Sequence, residues 1–157
     1  MKIISGGQTG ADRAALDWAI SHELEHGGWC PEGRLAEDGV IPMHFQLQEL
    51  AGAGYRARTK ANVRESDCTL IISISPILTG GSQLTAVFAK AYEKPWLHVH
   101  PALDWRGTLK KWLEVHPIEV LNVAGPRANS EPDVVTFTVE VLDFVHQTLK
   151  GPGVMQV

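Results

Sequence analysis

The apolar positions of this chain switch repeatedly between a period near two and a period near 3.6, which predicts strands alternating with helices. Residues 1–5 read as a short strand centred on Ile3 and Ile4. From about Ala11 to Glu25 the spacing turns helical: Ala11, Ala15, Trp18 and Ala19 share one face, and Leu16, Ile20 and Leu24 widen it. Gly27-Gly28 is expected to stop that helix, and Trp29-Cys30-Pro31 to form a very short strand. The clearest strand is 68–75, an almost unbroken run of apolar and β-favouring residues. Such a run suits a central strand of a parallel sheet covered on both faces. A helix over 83–93 is expected to bury Leu84, Val87, Phe88 and Ala91, followed by a strand over 96–100. A helix over 104–115, with Asp104 as a candidate cap, carries Trp105, Leu109, Trp112 and Leu113 on one side. A strand over 119–123 and a long helix over about 132–150 complete the pattern.

Between these elements the stretch from Glu32 to Gly54 has glycine, proline and charge without a regular apolar face. A long irregular segment inside a compact domain is usually functional or mobile. A short helix over 58–65, with Thr59 near its start, is expected after it. The alternation β-α-β-loop-α-β-α-β-α-β-α implies βαβ units and a parallel sheet with helices on both faces. The reading is one α/β domain over 1–150 with a flexible tail over 151–157.

Composition narrows the function classes. The 157 residues, 44% hydrophobic and 20% charged, are enough for one ordinary core. A net charge of −4 argues against a general nucleic-acid binder. The two cysteines, Cys30 and Cys68, form no CxxC pair, so neither a disulfide framework nor a zinc site is expected. No charged-then-apolar leader opens the chain and no apolar run nears the ~20 residues of a membrane span. The expectation is a soluble cytoplasmic protein without a membrane partner.

Ligands of open α/β sheets bind beyond the carboxyl ends of the strands. Three such ends carry glycine-rich or polar loops: Gly6-Gly7-Gln8-Thr9-Gly10, Thr79-Gly80-Gly81-Ser82, and Asn122 to Arg127 with Gly125. The first two lead into helices, so backbone N–H groups at a positive dipole end are expected to form an anion site, usually for phosphate. Neither standard nucleotide fingerprint is present, because no lysine follows the first loop and its glycines are not spaced Gly-x-Gly-x-x-Gly. Arg13, Arg34, Arg58 and Arg127 lie in or beside these loops, and the planar guanidinium fork suits phosphate. Asp12 reads as a helix cap, or as a group that orients Arg13 or binds a ligand hydroxyl. Glu37 and Asp38 form an adjacent acidic pair, which is more often solvated than catalytic. His98 and His100 share one strand face without a third ligand at a recognisable spacing, so no metal site is expected. Trp29 is the best candidate for stacking on a planar ring, Cys30 is a candidate to face the pocket, and Cys68 reads as core. No catalytic triad can be assembled.

Taken together, several of these stretches resemble the putative molybdenum carrier family. They are Gly6 to Asp12, Gly28 to Arg34, Ala36 to Gly39, Arg58-Thr59 with Asn62-Val63, Ser66-Asp67, Leu78 to Ser82 with Thr85, and Asn122 to Arg127. The resemblance spans about Lys2 to Leu149. It implies a Rossmann-like, three-layer fold related to lysine-decarboxylase-like and phosphoribohydrolase proteins. It also implies binding of the molybdenum cofactor, a phosphorylated pterin whose dithiolene holds molybdenum, with molybdoenzyme recipients and a dimeric or tetrameric assembly. On this reading the N–H groups around Gly6 to Gly10 and Gly80 to Ser82 hold the phosphate, with Arg13, Arg34 or Arg127 assisting. The pterin edges meet Gln8, Thr9 or Asn122, and no protein ligand set for the metal is expected. The phosphoribohydrolase motif Pro-Gly-Gly-x-Gly-Thr-x-x-Glu places a catalytic glutamate where this chain has Val87, which favours a carrier over a hydrolase. A nucleoside monophosphate hydrolase and a nucleotide-binding module are the alternatives.

Overall fold

The computed structural model describes residues 1–52 and 54–151; the tail expected over 151–157 lies, from 152 on, outside the described residues. Five parallel strands make the main sheet: β1 (Lys2–Ile4), β2 (His26–Gly27), β7 (Cys68–Ile72), β8 (Trp96–Val99) and β9 (Val120–Ala124). Their order across the sheet is β2-β1-β9-β7-β8. The last strand therefore lies between the first and the central one, pairing Ile4 with Asn122 on one side and Thr69 with Asn122 on the other.

Side chains alternate across these strands, as the pleat requires. Cys68, Leu70, Ile72, Leu121 and Val123 face one core. That core is closed by α1 (Ala11–Ser21), α4 (Trp105–Val115) and α5 (Val134–Lys150), through Ala15, Trp18, Leu109, Val141 and their neighbours. On the opposite face α2 (Tyr55–Arg64) and α3 (Gly80–Ala91) pack together through Val63, Phe88 and Ala89. Thr69 and Asn122 point toward that face and bond to each other at 3.2 Å, a polar pair next to the site. The expected α/β architecture with helices on both faces is present.

The departures are local and have physical reasons. The first helix stops at Ser21, four residues early, in a tight turn where Glu23 takes φ 56° and the Leu24 N–H reaches the Ala19 carbonyl. Gly27 does not stop the helix; it lies in β2, whose two residues carry too short a pattern to be read. Gly28 (φ 127°) is required because a Cβ there would collide with the Ser5 carbonyl. The irregular stretch folds into a 3₁₀ turn (Glu32–Arg34), a hairpin of β4 (Leu35–Ala36) and β5 (Gly39–Val40), and β6 (Gln48–Leu50). β6 pairs in parallel with β3 (Trp29–Pro31). α2 begins at Tyr55, earlier than expected, and α3 at Gly80. Val87 is 54% exposed on the outer side of α3 rather than buried.

Candidate functional site

The carboxyl ends of β1, β9 and β7 meet at one cleft. Three loops come close enough there to need glycine. A Cβ on Gly125 would collide with the Ile72 carbonyl and the Ala11 side chain, and one on Gly10 with the Pro126 carbonyl. The main cleft has a volume of about 490 Å³, within the ~300–1,000 Å³ range of small-molecule sites. It is lined by Thr79, Gly80, Gly81 and Ser82, with Arg127, Glu131 and Ser73 around them. An inner recess adjoins it, lined by Gly6, Gln8, Asp12, Arg58 and Asn122 among others. Tyr55, Gly81, Ser82, Gly125 and Arg127 border both.

The N-terminus of α3 supplies the backbone donors. Thr79 stands at its N-cap position and makes no side-chain capping bond. The N–H groups of Gly80, Gly81 and Ser82 thus begin a 12-residue helix on the floor of the cleft without a side-chain acceptor. Gly80 has φ 53°, and a Cβ there would meet nothing. Tyr55 lies against this terminus: its ring stacks under the Arg58 guanidinium at 4.2 Å and lies 5.5 Å from that of Arg127. A Cβ on Gly81 would collide with its hydroxyl.

Within and just after the first loop, three backbone donors are used internally. The Gly7 N–H goes to Ser5 Oγ (3.4 Å), the Gln8 N–H to Asp12 Oδ2 (3.3 Å) and the Ala11 N–H to the Pro126 carbonyl (3.3 Å). One of these acceptors is a buried carboxylate of the chain's own, Asp12. Asp12 does not orient Arg13. It pairs with Arg58, whose Nη1 donates to Oδ2 at 3.4 Å with both side chains only 6% exposed. Burial raises the Asp12 pKa above its ordinary value, and the Arg58 charge and the Gln8 hydrogen bond offset only part of the rise.

The expected site residues fall into two groups. Gly6, Gln8, Arg58, Thr79, Gly80, Gly81, Ser82, Asn122, Gly125 and Arg127 line the cleft or its recess. Gly7, Thr9, Gly10, Arg13 and Arg34 do not line either one. Gly7 faces Ile41 and Leu47, and Thr9 Oγ1 accepts the Ala128 N–H. Arg13 binds Asp38 at 2.5 Å and the Gly7 carbonyl at 3.1 Å, so that hydrogen bond holds the Asp38 pKa down. Arg34 is buried, donating to the carbonyls of Ile41, Pro42, Phe45 and Leu47.

The weaker candidates separate as well. Trp29 gives its indole N–H to Glu65, and Cys30 packs with Leu16, Ile41 and Phe45, its thiol pKa raised by burial. Cys68 is core, with a thiol pushed up to about 12. His98 Nε2 meets Ser73 Oγ at 2.5 Å, and its ring centre lies 4.8 Å from that of His100. Among the described residues no cluster of three metal-ligating side chains occurs, and no helix is long and apolar enough to cross a membrane.

Tyr55, Ser73 and Glu131 were not singled out from the sequence, and Thr85 only within the family resemblance. Tyr55 follows a Gly52-Ala53-Gly54 stretch that reads as loop. Thr85 donates to the Gly81 carbonyl, four residues back on α3. Ser73 ends the obvious strand. Glu131 clamps the backbone N–H groups of Ile74 (2.7 Å) and Ser75 (3.1 Å) from across the cleft.

Comparison with known proteins agrees with this architecture. The model of the circularly permutated YpsA SLOG family matches residues 3–146. The crystal structure of a putative molybdenum carrier protein from Syntrophus aciditrophicus SB superposes with a TM-score of 0.86 at 50% sequence identity. The match covers 91% of this chain and 92% of that one. No curated protein matches the chain. A match over nearly the whole domain, on a sheet whose last strand sits beside its first, identifies the chain as a member of the circularly permutated YpsA SLOG family.

Proposed function

We propose that the cleft binds the molybdenum cofactor as cargo, anchoring its phosphate rather than coordinating its metal. The observation that carries this reading is the uncapped N-terminus of α3, which lines the cleft together with Arg127. Backbone N–H groups, a positive dipole end and a guanidinium group line one place, which is the chemistry of a phosphate cradle. The cradle fits an added group, since the space above Gly80 is open and Arg127 has no ion-pair partner among the described residues. The choice of a pterin phosphate over other phosphates rests on the 50% identical relative's name. Carriage implies sequestration and later release to molybdoenzyme recipients, in a dimer or tetramer. The two buried thiols suit a reducing compartment such as the cytoplasm.

The test is anaerobic mixing with free molybdenum cofactor, gel filtration, and assay of the protein peak for molybdenum and oxidised pterin. The same column reads the assembly size. The natural protein is expected to co-elute with cofactor. Gly80→Asp, which puts a carboxylate into the open space at the cradle on a φ of 53° that aspartate adopts more readily than most residues, and Arg127→Ala are expected to lose about tenfold or more of that affinity. Equal retention by all three overturns the site.

The hydrolase alternative requires a carboxylate at the reacting bond. Val87 faces solvent instead, but Asp12 is a buried carboxylate in the recess, so AMP is the substrate to try. Intact AMP after long incubation is the expected result; released base that disappears in Asp12→Asn would favour the hydrolase.

A further inference from the structure

The inner recess holds an acceptor and a donor side by side, both buried and neither fully used. Asp12 receives the Gln8 and Arg58 hydrogen bonds on Oδ2, and among the described residues nothing donates to Oδ1. Arg58 is 5% exposed, and its Nε is buried without a partner. A buried donor left unpaired is destabilising until an acceptor reaches it.

Several other polar groups of the recess are committed to the protein itself. Asn62 accepts the Trp29 N–H at 2.8 Å and donates to the Trp29 carbonyl at 3.0 Å. Thr59 donates to the Tyr55 carbonyl, Thr85 to the Gly81 carbonyl, Gln8 Nε2 to the Leu35 carbonyl, and Asn122 Nδ2 to Thr69 Oγ1. Asp12 and Arg58 remain as the buried charged pair, with the Ser82 hydroxyl, Arg127 and the Gln8 and Asn122 side-chain oxygens beside them. An oxyanion does not suit the pair, because it would face the carboxylate. An edge that carries an exocyclic amino donor on one side and a carbonyl acceptor on the other does suit it, whereas a carbonyl in place of the amino group would face the Asp12 carboxylate.

We infer that Asp12 and Arg58 read the amino-lactam edge of a planar heterocycle, the N–H donor and ring carbonyl that a pterin carries. The inference rests on the cofactor reading above and names what recognises the ring once α3 holds the phosphate. The ring's amino N–H donates to Asp12 Oδ1, and its carbonyl accepts from Arg58. The free space in the recess is only about 20 Å³, roughly one water molecule, so it admits an edge and not a whole ring. The body of the ring lies in the larger cleft beside Tyr55, which borders both spaces.

The test compares two fluorescent probes on the folded protein: 6-hydroxymethylpterin phosphate, and its lumazine counterpart with a carbonyl in place of the amino group. Inorganic phosphate, followed by displacement, reports the α3 cradle alone. The natural protein is expected to prefer the pterin by about tenfold or more, the usual worth of a charge-assisted hydrogen bond. Asp12→Asn is expected to reduce the preference to within about twofold while phosphate binding persists. Equal affinity of the natural protein for both probes, with phosphate still bound, overturns the inference and leaves the cofactor reading standing. This arm needs no variant to fold. A preference that survives in Asp12→Asn also overturns it. If neither ring improves on phosphate alone, the inference and the cofactor reading fall together.

Discussion

Arg34 and Arg127 look alike in the sequence and do opposite things in the structure. The Arg34 guanidinium closes the 32–50 segment by donating to four carbonyls, and it holds its own backbone at φ 56°. Arg127 stands free at the cleft mouth, touching only the Tyr55 ring among aromatic partners. Removing Arg34 strands several buried acceptors, so Arg34→Ala is expected to cost on the order of 2–4 kcal/mol of stability in a urea titration. Arg127→Ala is expected to stay within about 0.5 kcal/mol of the natural protein. A reversed order would mean that the two roles have been exchanged. The sequence placed both arginines near glycine loops, and nothing local distinguishes a cation that faces a ligand from one that ties down carbonyls. Asp12 carries the same lesson. It lies where a helix cap belongs, but the partner that fixes its role, Arg58, is 46 residues away in sequence.

At the scale of elements, the segment after β7 is held by two contacts from other strands and helices. Glu131 binds two of its N–H groups, and His98 meets Ser73 from β8. Glu131→Ala should free Ile74 and Ser75, raising their amide exchange by roughly tenfold to a hundredfold while the middle of β7 stays protected. Unchanged exchange at those two amides would show that the clamp holds nothing. His98 adds a pH dependence. Burial first, and the neighbouring His100 charge second, hold its pKa below 6.5, with Glu131 pulling the other way. The folded protein thus keeps the ring neutral, while the unfolded chain binds a proton as pH falls below 6.5. The His98 contribution is therefore present above that value and lost as pH falls through the folded pKa. Melting temperature should decline from about pH 7.5 to 5.5, less steeply in His98→Gln. His26 and His146, lowered mainly by burial, account for part of the decline that remains.

Across the whole molecule, what could be read in advance was what repeats along the chain. The long helices and the apolar strand β7 announce themselves by period, and so does the α/β class. The order of the strands does not, because pairing β9 between β1 and β7 depends on partners some 50 and 120 positions away. The three glycine-rich ends were legible as a group since the fold class alone sends them to one edge. The small pairings β3–β6 and β4–β5 were not, being too short to show a period. Tyr55, the ring that divides the cleft, hides for the same reason at the start of a helix of poor amphipathicity.

The midline position of β9 also has a consequence for biosynthesis. As the polypeptide leaves the ribosome, β1, β7 and β8 emerge first, but β1 and β7 have no strand between them until residues 120–124 follow. Gly125 and Arg127 arrive later still, and both border the cleft and its recess. A nascent chain can therefore build its flanking βα units early, yet it has no cradle to offer. On the function proposed above, cargo capture begins only when translation has passed the loop after β9, so an unfinished chain would not trap a scarce ligand.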